Sequence, residues 1–180
     1  VSEDKPAPTD VGTATHLLLQ QVDLNVRPDE KMLANLLSQL VAQGAIDSNV
    51  ATLIDLNKVT QFFDSDLGKL VLENSDTVKR ESPFSLLVKA GDVFPGFEND
   101  QQQRLLIHGI IDGYVVVDNE VYLFDYKTDK LTPKTGIEDI KNRYRGQINL
   151  YALALSEIIH LPIAHKYLYL LESNQSVVIE

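Results

Sequence analysis

Cysteine is absent from all 180 residues. That excludes disulfides, thiolate zinc sites, iron–sulfur clusters and a cysteine nucleophile. Methionine occurs once, at Met32, and the chain begins at Val1, as expected of a domain taken from a longer protein or of a processed chain. No run of roughly 18 or more apolar residues occurs, and the opening VSEDKPAPTD is polar and acidic, unlike a signal peptide. The expectation is a soluble, cytoplasmic protein with no membrane partner. A basic surplus is also lacking. The formal net charge of −10 argues against a general nucleic-acid binder, whose footprint is usually basic.

What is present is a hydrophobic content of 44%, enough for one good core with, at most, a small appended helical subdomain. The richest stretch is HGIIDGYVVVDNEVYLFDYKTDK, residues 108–130. Two β-branched and aromatic runs, Ile110–Val117 and Val121–Tyr126, flank the turn residues Asp118, Asn119 and Glu120 and predict an antiparallel hairpin. A two-residue loop pairs Val117 with Glu120 and so sets Asp112 opposite Asp125, side chains on one face and Cβ atoms about 5 Å apart. Lys127 shares that face, as do Ile110, Tyr114, Val116, Val121 and Leu123, while Ile111, Val115, Val117, Tyr122, Phe124 and Tyr126 take the other. Both faces are expected to be covered.

Two ionised carboxylates at that spacing repel by roughly 3 kcal/mol at an effective dielectric of 20. A divalent cation removes the penalty, and oxygen ligands favour Mg²⁺ or Mn²⁺ over softer metals. A lysine beside such an ion can orient or deprotonate a water. The competing reading is that both aspartates cap strand ends in solvent with Lys127 as their ion pair. Charge is also unevenly spread. Lys127, Lys130, Lys134, Lys141, Arg143 and Arg145 face only Asp129, Glu138 and Asp139 between positions 127 and 145, a net of +3 that leaves −13 elsewhere. Such a strip suits a phosphate substrate or is a solvated helix start.

Along the chain, residues 1–10 read as a linker, residues 11–76 as mainly helical, and residues 77–180 as an α/β core. Helices are expected near Gly12–Asp23 and Asp29–Gln43, the latter stopping at Gly44, with further helical pattern over Val50–Leu56 and Lys58–Glu73. Val78–Val88 is the first long strand, kinked at Pro83. Gly91–Gln103 reads as a mobile connection. After the hairpin and the loop at 131–136 comes a long helix, Gly136–His160, with Ile148, Tyr151, Ala152, Leu155 and Ile159 on one stripe. Lys166–Leu171 and Ser176–Ile179 close the chain as strands around Ser173, Asn174 and Gln175. The fold class expected is α/β, a mixed central sheet flanked by helices with an N-terminal helical subdomain.

Five motifs in order, GTATH at 12–16, RESPF at 80–84, GIIDGY at 109–114, DYKTD at 125–129 and QINLY at 147–151, resemble the PD-(D/E)XK nuclease superfamily. The likeness spans roughly residues 10–180. Within that superfamily the chain looks most similar to the C-terminal nuclease domain found in the larger, helicase-bearing chain of AddAB (RexAB), bacterial helicase–nucleases that process double-strand breaks. The resemblance implies a restriction-endonuclease-like sheet and a Mg²⁺- or Mn²⁺-dependent (exo)deoxyribonuclease. Implied partners are DNA, in particular single-stranded ends, the helicase portion of the same full-length chain, and the second subunit of the helicase–nuclease, in the bacterial cytoplasm. No Walker or helicase motif occurs here, so no nucleotide is expected in this segment.

Residue by residue, the resemblance makes Asp112 and Asp125 acidic ligands, adds the Tyr126 main-chain carbonyl and His16 as further ligands, and makes Lys127 the catalytic lysine. Gln147 and Tyr151 match its QxxxY motif and share a helix face. Gln147, Tyr151, Arg143, Arg145 and Lys130 are the expected DNA contacts, and Glu81 is an auxiliary acid for a second metal or for Lys127. Each has a plainer alternative. His16 can be a satisfied buried histidine, Tyr151 core, Gln147 a polar cap and Glu81 a surface glutamate, while His108 competes with His16 but falls opposite Asp129. For the whole domain the alternative is an inactive nuclease-fold module that guides DNA or docks a helicase, and a small-phosphoester hydrolase is a third class.

Overall fold

The structure, a computed structural model, describes residues 6–89, 91 and 104–180. Apart from Gly91, the expected connection Gly91–Gln103 lies outside the described residues. The elements are α1 (Pro8–Gln21), α2 (Glu30–Ala42), α3 (Ser48–Ala51), α4 (Leu56–Phe62), α5 (Asp66–Glu73), a 3-10 turn (Ser75–Thr77), β1 (Lys79–Lys89), β2 (Arg104–Val117), β3 (Glu120–Lys127), α6 (Ile137–Ile159), β4 (Ile163–Leu170) and β5 (Gln175–Val178). The strands form one sheet in the order β1-β2-β3-β4-β5. β3 and β4 run parallel, joined by the α6 crossover, and the other pairs are antiparallel. This is the expected α/β fold with a helix-flanked mixed sheet.

Each sheet face owns a core. On one, Ile140, Ile148, Ala154 and Leu155 of α6 pack with Val121, Leu123, Leu168 and Leu170. On the other, α1 to α5 bring Leu18, Leu19, Leu33, Phe62 and Val71 against Phe124, Tyr126, Tyr169 and Leu171. The N-terminal helices therefore share a core with the sheet. Among the described residues no helix is long and apolar enough to cross a membrane.

The β2–β3 turn has the expected length. Val117 pairs with Glu120, and Asp118 and Asn119 carry φ of 52° and 63°, the paired positive values of a two-residue hairpin turn. The ladder runs Val117–Glu120 through Gly113–Phe124, which puts Asp112 and Asp125 at the next register position.

The structure corrects several expectations. α1 starts at Pro8, inside the expected linker, because proline suits the first helical turn and Asp10 Oδ2 accepts the Ala7 N–H at 3.1 Å. The helical pattern after Val50 is cut into short pieces by N-caps: Asp47, Asp55 and Ser65 accept first-turn N–H groups from Asn49, Lys58 and Gly68. β4 begins at Ile163, ahead of the expected Lys166.

A further correction bears on the site. Ile110 is exposed, and Ile111 is buried in the core that holds Val121 and Leu123. A Cβ on Gly109 would strike Phe84 on the α6 side, whereas one on Gly113 would strike Phe124, which belongs to the opposite core. The alternation of β2 thus changes phase around Asp112. Across from it Glu81 has φ of 48°, and the β1–β2 register skips the Glu81–Asp112 pair. Such local irregularities re-aim side chains, and here they re-aim Asp112 and Glu81.

Candidate active site

α1 delivers His16. Its inner stripe, Ala14, Thr15, Leu18 and Leu19, is buried, and Arg80 of β1 ties down its far end by donating to the carbonyls of Leu19 and Val22 at 2.9 and 2.7 Å. At the near end a Cβ on Gly12 would lie 3.1 Å from Thr128 Oγ1, so glycine lets α1 approach the end of β3. One turn on, His16 Nδ1 reaches Asp112 Oδ2 at 3.3 Å, and its imidazole meets the Tyr126 ring edge-on at 6.0 Å. Asp112 Oδ2 also accepts the Tyr126 N–H at 2.9 Å. A side chain thus takes a main-chain donor just beyond the ladder.

Asp125 is 2% exposed. Lys127 Nζ lies 2.6 Å from its Oδ2, yet the approach is outside hydrogen-bond geometry, and that oxygen is buried without a protein hydrogen bond among the described residues. Burial and the Asp112 charge push the Asp125 carboxyl up to about 6, against the opposing pull of Lys127 and His16. Burial disfavours the His16 imidazolium, but Asp112 and Asp125 outweigh it and Lys127, so its pKa is raised. Glu81 is raised too, by burial and by Asp112. It therefore faces the same cluster.

From the other face, α6 completes the surroundings of Lys127. The ammonium donates to Gln147 Oε1 at 3.2 Å, and Gln147 Nε2 donates to the Tyr151 hydroxyl at 2.8 Å. Burial raises the Tyr151 phenol, opposed by Gln147 and assisted by Asp125, Asp112 and Glu81. The Tyr151 ring is edge-on to Phe84 at 5.6 Å.

The structure therefore gathers His16, Glu81, Asp112, Asp125, Lys127, Gln147 and Tyr151. The basic residues stand apart. Arg143 is paired with Asp129 at 2.6 Å, Arg145 donates to Asn142 at 2.9 Å, and Lys130, 74% exposed, lies 3.9 Å from Glu172 beside a groove of about 230 Å³ lined by Gly12, Lys58 and Thr128. Lys141 is paired with Glu138, so the basic strip is partly neutralised by its own helix. His108 contacts Ser85 Oγ at 2.8 Å, away from the cluster. One neighbour is not foreseen from the sequence: Tyr144, whose ring lies under Lys127 Nζ at 4.3 Å. Its spacing holds the signal, because Tyr144, Gln147 and Tyr151 share one face of α6.

A sequence profile of the PD-(D/E)XK nuclease superfamily matches residues 2–177. The chain belongs to that superfamily. Among curated relatives it is 45% identical over 179 residues to the A chain of the ATP-dependent helicase/nuclease of Pediococcus pentosaceus, covering 98% of this chain and 14% of that protein. It is 44% identical over 175 residues to the protein of the same name in Ligilactobacillus salivarius, covering 97% of the chain and 14% of the relative. For Lacticaseibacillus casei the identity is 46% over 171 residues, 95% of the chain and 14% of the relative. The chain thus spans 14% of the length of these relatives.

Whether this PD-(D/E)XK chain suits a divalent ion is decided by its donor set. As the side chains stand, no three His, Asp or Glu groups among the described residues converge into a cage: His16 is turned to Asp112, and Asp125 to Lys127. The donors are nonetheless hard oxygens with one imidazole, the combination that Mg²⁺ or Mn²⁺ takes. The buried Asp125 Oδ2 without a hydrogen bond and the high-lying Asp125 pKa are costs that a bound cation relieves. The residues fit such an ion.

Proposed function

We propose that this domain is a divalent-metal-dependent nuclease that hydrolyses DNA phosphodiester bonds, the cutting unit of a bacterial helicase–nuclease acting in double-strand break repair and recombination. The observation that carries this reading is the buried Asp125, raised to about 6, between Asp112 and Lys127, in a chain of a nuclease superfamily. Asp112, Asp125, His16 and the Tyr126 main-chain carbonyl are the residues that hold Mg²⁺ or Mn²⁺, which when bound supplies a Lewis acid for the phosphate and a more acidic water.

Lys127 places an ammonium where the attacking water and a phosphate oxygen meet. Its charge stabilises the negative charge that develops there, and its N–H groups orient the water. Gln147 fixes Lys127 from α6, and Tyr151 fixes Gln147. Once substrate is present, Gln147 and Tyr151 contact the phosphate backbone, with Arg145 and Lys130 as outlying phosphate contacts. Arg143 joins them only by leaving Asp129. Glu81 is the auxiliary acid that shares the field of Asp112.

The names of the relatives support a setting in which the helicase portion of the full-length chain, with a second subunit, feeds single-stranded ends to this domain in the cytoplasm. The test is cleavage of an end-labelled single-stranded oligonucleotide with Mg²⁺ or Mn²⁺ and then with chelator, alongside a duplex and a nucleoside monophosphate. Metal-dependent cutting of DNA supports the proposal. DNA binding without cutting favours a guiding or docking module, and turnover of the monophosphate alone favours a small-phosphoester hydrolase.

A further inference from the structure

Lys127 has a difficulty that the proposed reaction sharpens. Its closest partner, 2.6 Å away, is Asp125, the carboxylate proposed to serve as a ligand. A carboxylate drawn to a cation attracts an ammonium less. Something else must then keep a four-carbon, freely rotating side chain over one point.

Two groups on α6 face the ammonium. Gln147 accepts one of its protons at 3.2 Å. The other group is the face of Tyr144, with the ring centroid 4.3 Å from Nζ, well within the range of a cation–π contact. That ring is itself anchored. The Tyr144 hydroxyl donates to Asp129 Oδ2 at 2.8 Å, and Arg143 donates to Asp129 Oδ1 at 2.6 Å, so Asp129 is held at both oxygens. Asp129 lies two residues beyond Lys127 and bridges the end of β3 to α6. The Tyr144 phenol is raised by burial and by Asp129, with Arg143 opposing, and so stays a neutral donor.

We infer that Tyr144 is a positioning residue: its ring, fixed by Asp129 and Arg143, seats the Lys127 ammonium so that lysine keeps its place when Asp125 is engaged elsewhere. Asp129 and Arg143 then belong to the support of the catalytic lysine. The inference rests on the nuclease reading for its consequence in the reaction, but the seat itself exists without it.

The test uses Tyr144→Leu, which removes the ring; Tyr144→Phe, which keeps the ring and removes the anchor; and Asp129→Ala. One readout is independent of activity. Methylene protons of Lys127 that sit over an aromatic face resonate upfield of ordinary lysine, and this is read by proton–carbon NMR in chelator and again with Mg²⁺. The wild type is expected to show the shift in both conditions, Tyr144→Leu to lose it, Tyr144→Phe to keep most of it, and Asp129→Ala to lose part. In cleavage assays, Tyr144→Leu should lower kcat about tenfold with KM within about twofold, the size expected for one lost cation–π contact, and Tyr144→Phe should recover most of kcat.

An upfield shift missing from the wild type, or retained in Tyr144→Leu, overturns the inference. So does an unchanged kcat in Tyr144→Leu while the wild type cuts. Wild-type protein that does not cut at all overturns the nuclease reading instead, and the NMR result still decides whether the seat exists. Should Tyr144→Leu not fold, the Phe and Asp129→Ala variants decide through the same shift.

Discussion

Asp112 and Asp125 occupy facing register positions on β2 and β3, yet their carboxylates answer to different partners, Asp112 to His16 and the Tyr126 N–H, Asp125 to Lys127. Neither carboxylate satisfies the other. The pair is a site of stored electrostatic cost, and several measurable consequences come from that.

The first concerns stability. Asp125 holds its proton more tightly in the folded chain, at about 6 against an ordinary 3.8, so folding takes up a proton between these values and stability falls as pH rises through that window. Above about pH 6 the penalty is constant and on the order of 3 kcal/mol. Asp125→Asn removes it. In chelator at pH 7.5 this variant should melt roughly 5 °C above wild type, with the gain shrinking toward pH 4. Equal or lower melting at pH 7.5 would count against the strained carboxylate.

The same logic predicts a metal response. Millimolar Mg²⁺ or Mn²⁺ should raise the melting temperature of wild type by several degrees, since a ligand that binds only the folded state stabilises it by mass action. In Asp112→Asn and Asp125→Asn the rise should vanish. In wild type it should weaken below about pH 6, where protons compete for Asp125. A rise of equal size in all three proteins would place the ion elsewhere.

His16 adds a proton count. Its raised pKa means that the imidazolium–Asp112 pair contributes stability below the unfolded value of about 6.5, which is lost as pH rises through the higher folded value. A metal ligand must be neutral. Binding of Mn²⁺ near pH 7 should therefore release a proton, seen by calorimetry in buffers of different ionisation enthalpy, and His16→Gln should bind about tenfold more weakly with no such release. Identical proton release from His16→Gln would remove His16 from the ligand set.

Packing around the hairpin is testable separately. A Cβ at Gly113 would lie 2.2 Å from the ring of Phe124, which is fully buried. Gly113→Ala should cost about 1 to 3 kcal/mol by overpacking, read as a lower denaturant midpoint with an unchanged slope. A midpoint equal to wild type would mean that Phe124 moves freely.

Much of this is legible in the chain because it is local. Asp118 and Asn119 tolerate positive φ, so the turn length and the facing positions of Asp112 and Asp125 follow from pattern alone. The 3.6-residue stripe through Ile148 and Leu155 locates α6 for the same reason. The N-caps Asp47, Asp55 and Ser65 are readable in principle, but short helices leave little periodicity between them. The phase change at Asp112 is hidden. It arises from positive φ at Glu81, a residue type that seldom adopts it, and from packing between strands far apart in sequence. The tie between Asp129 and Tyr144 is likewise invisible, because it closes a loop between β3 and α6.

The most direct measurement is single-turnover cleavage of a labelled single-stranded oligonucleotide by wild type, Asp112→Asn, Asp125→Asn and Lys127→Met, each with Mg²⁺ and with chelator. Wild type should cut only with the ion, and each substitution should slow cutting by about a hundredfold or more while DNA binding stays within a few-fold. Undiminished cutting by any of the three variants, or by wild type in chelator, would contradict the site.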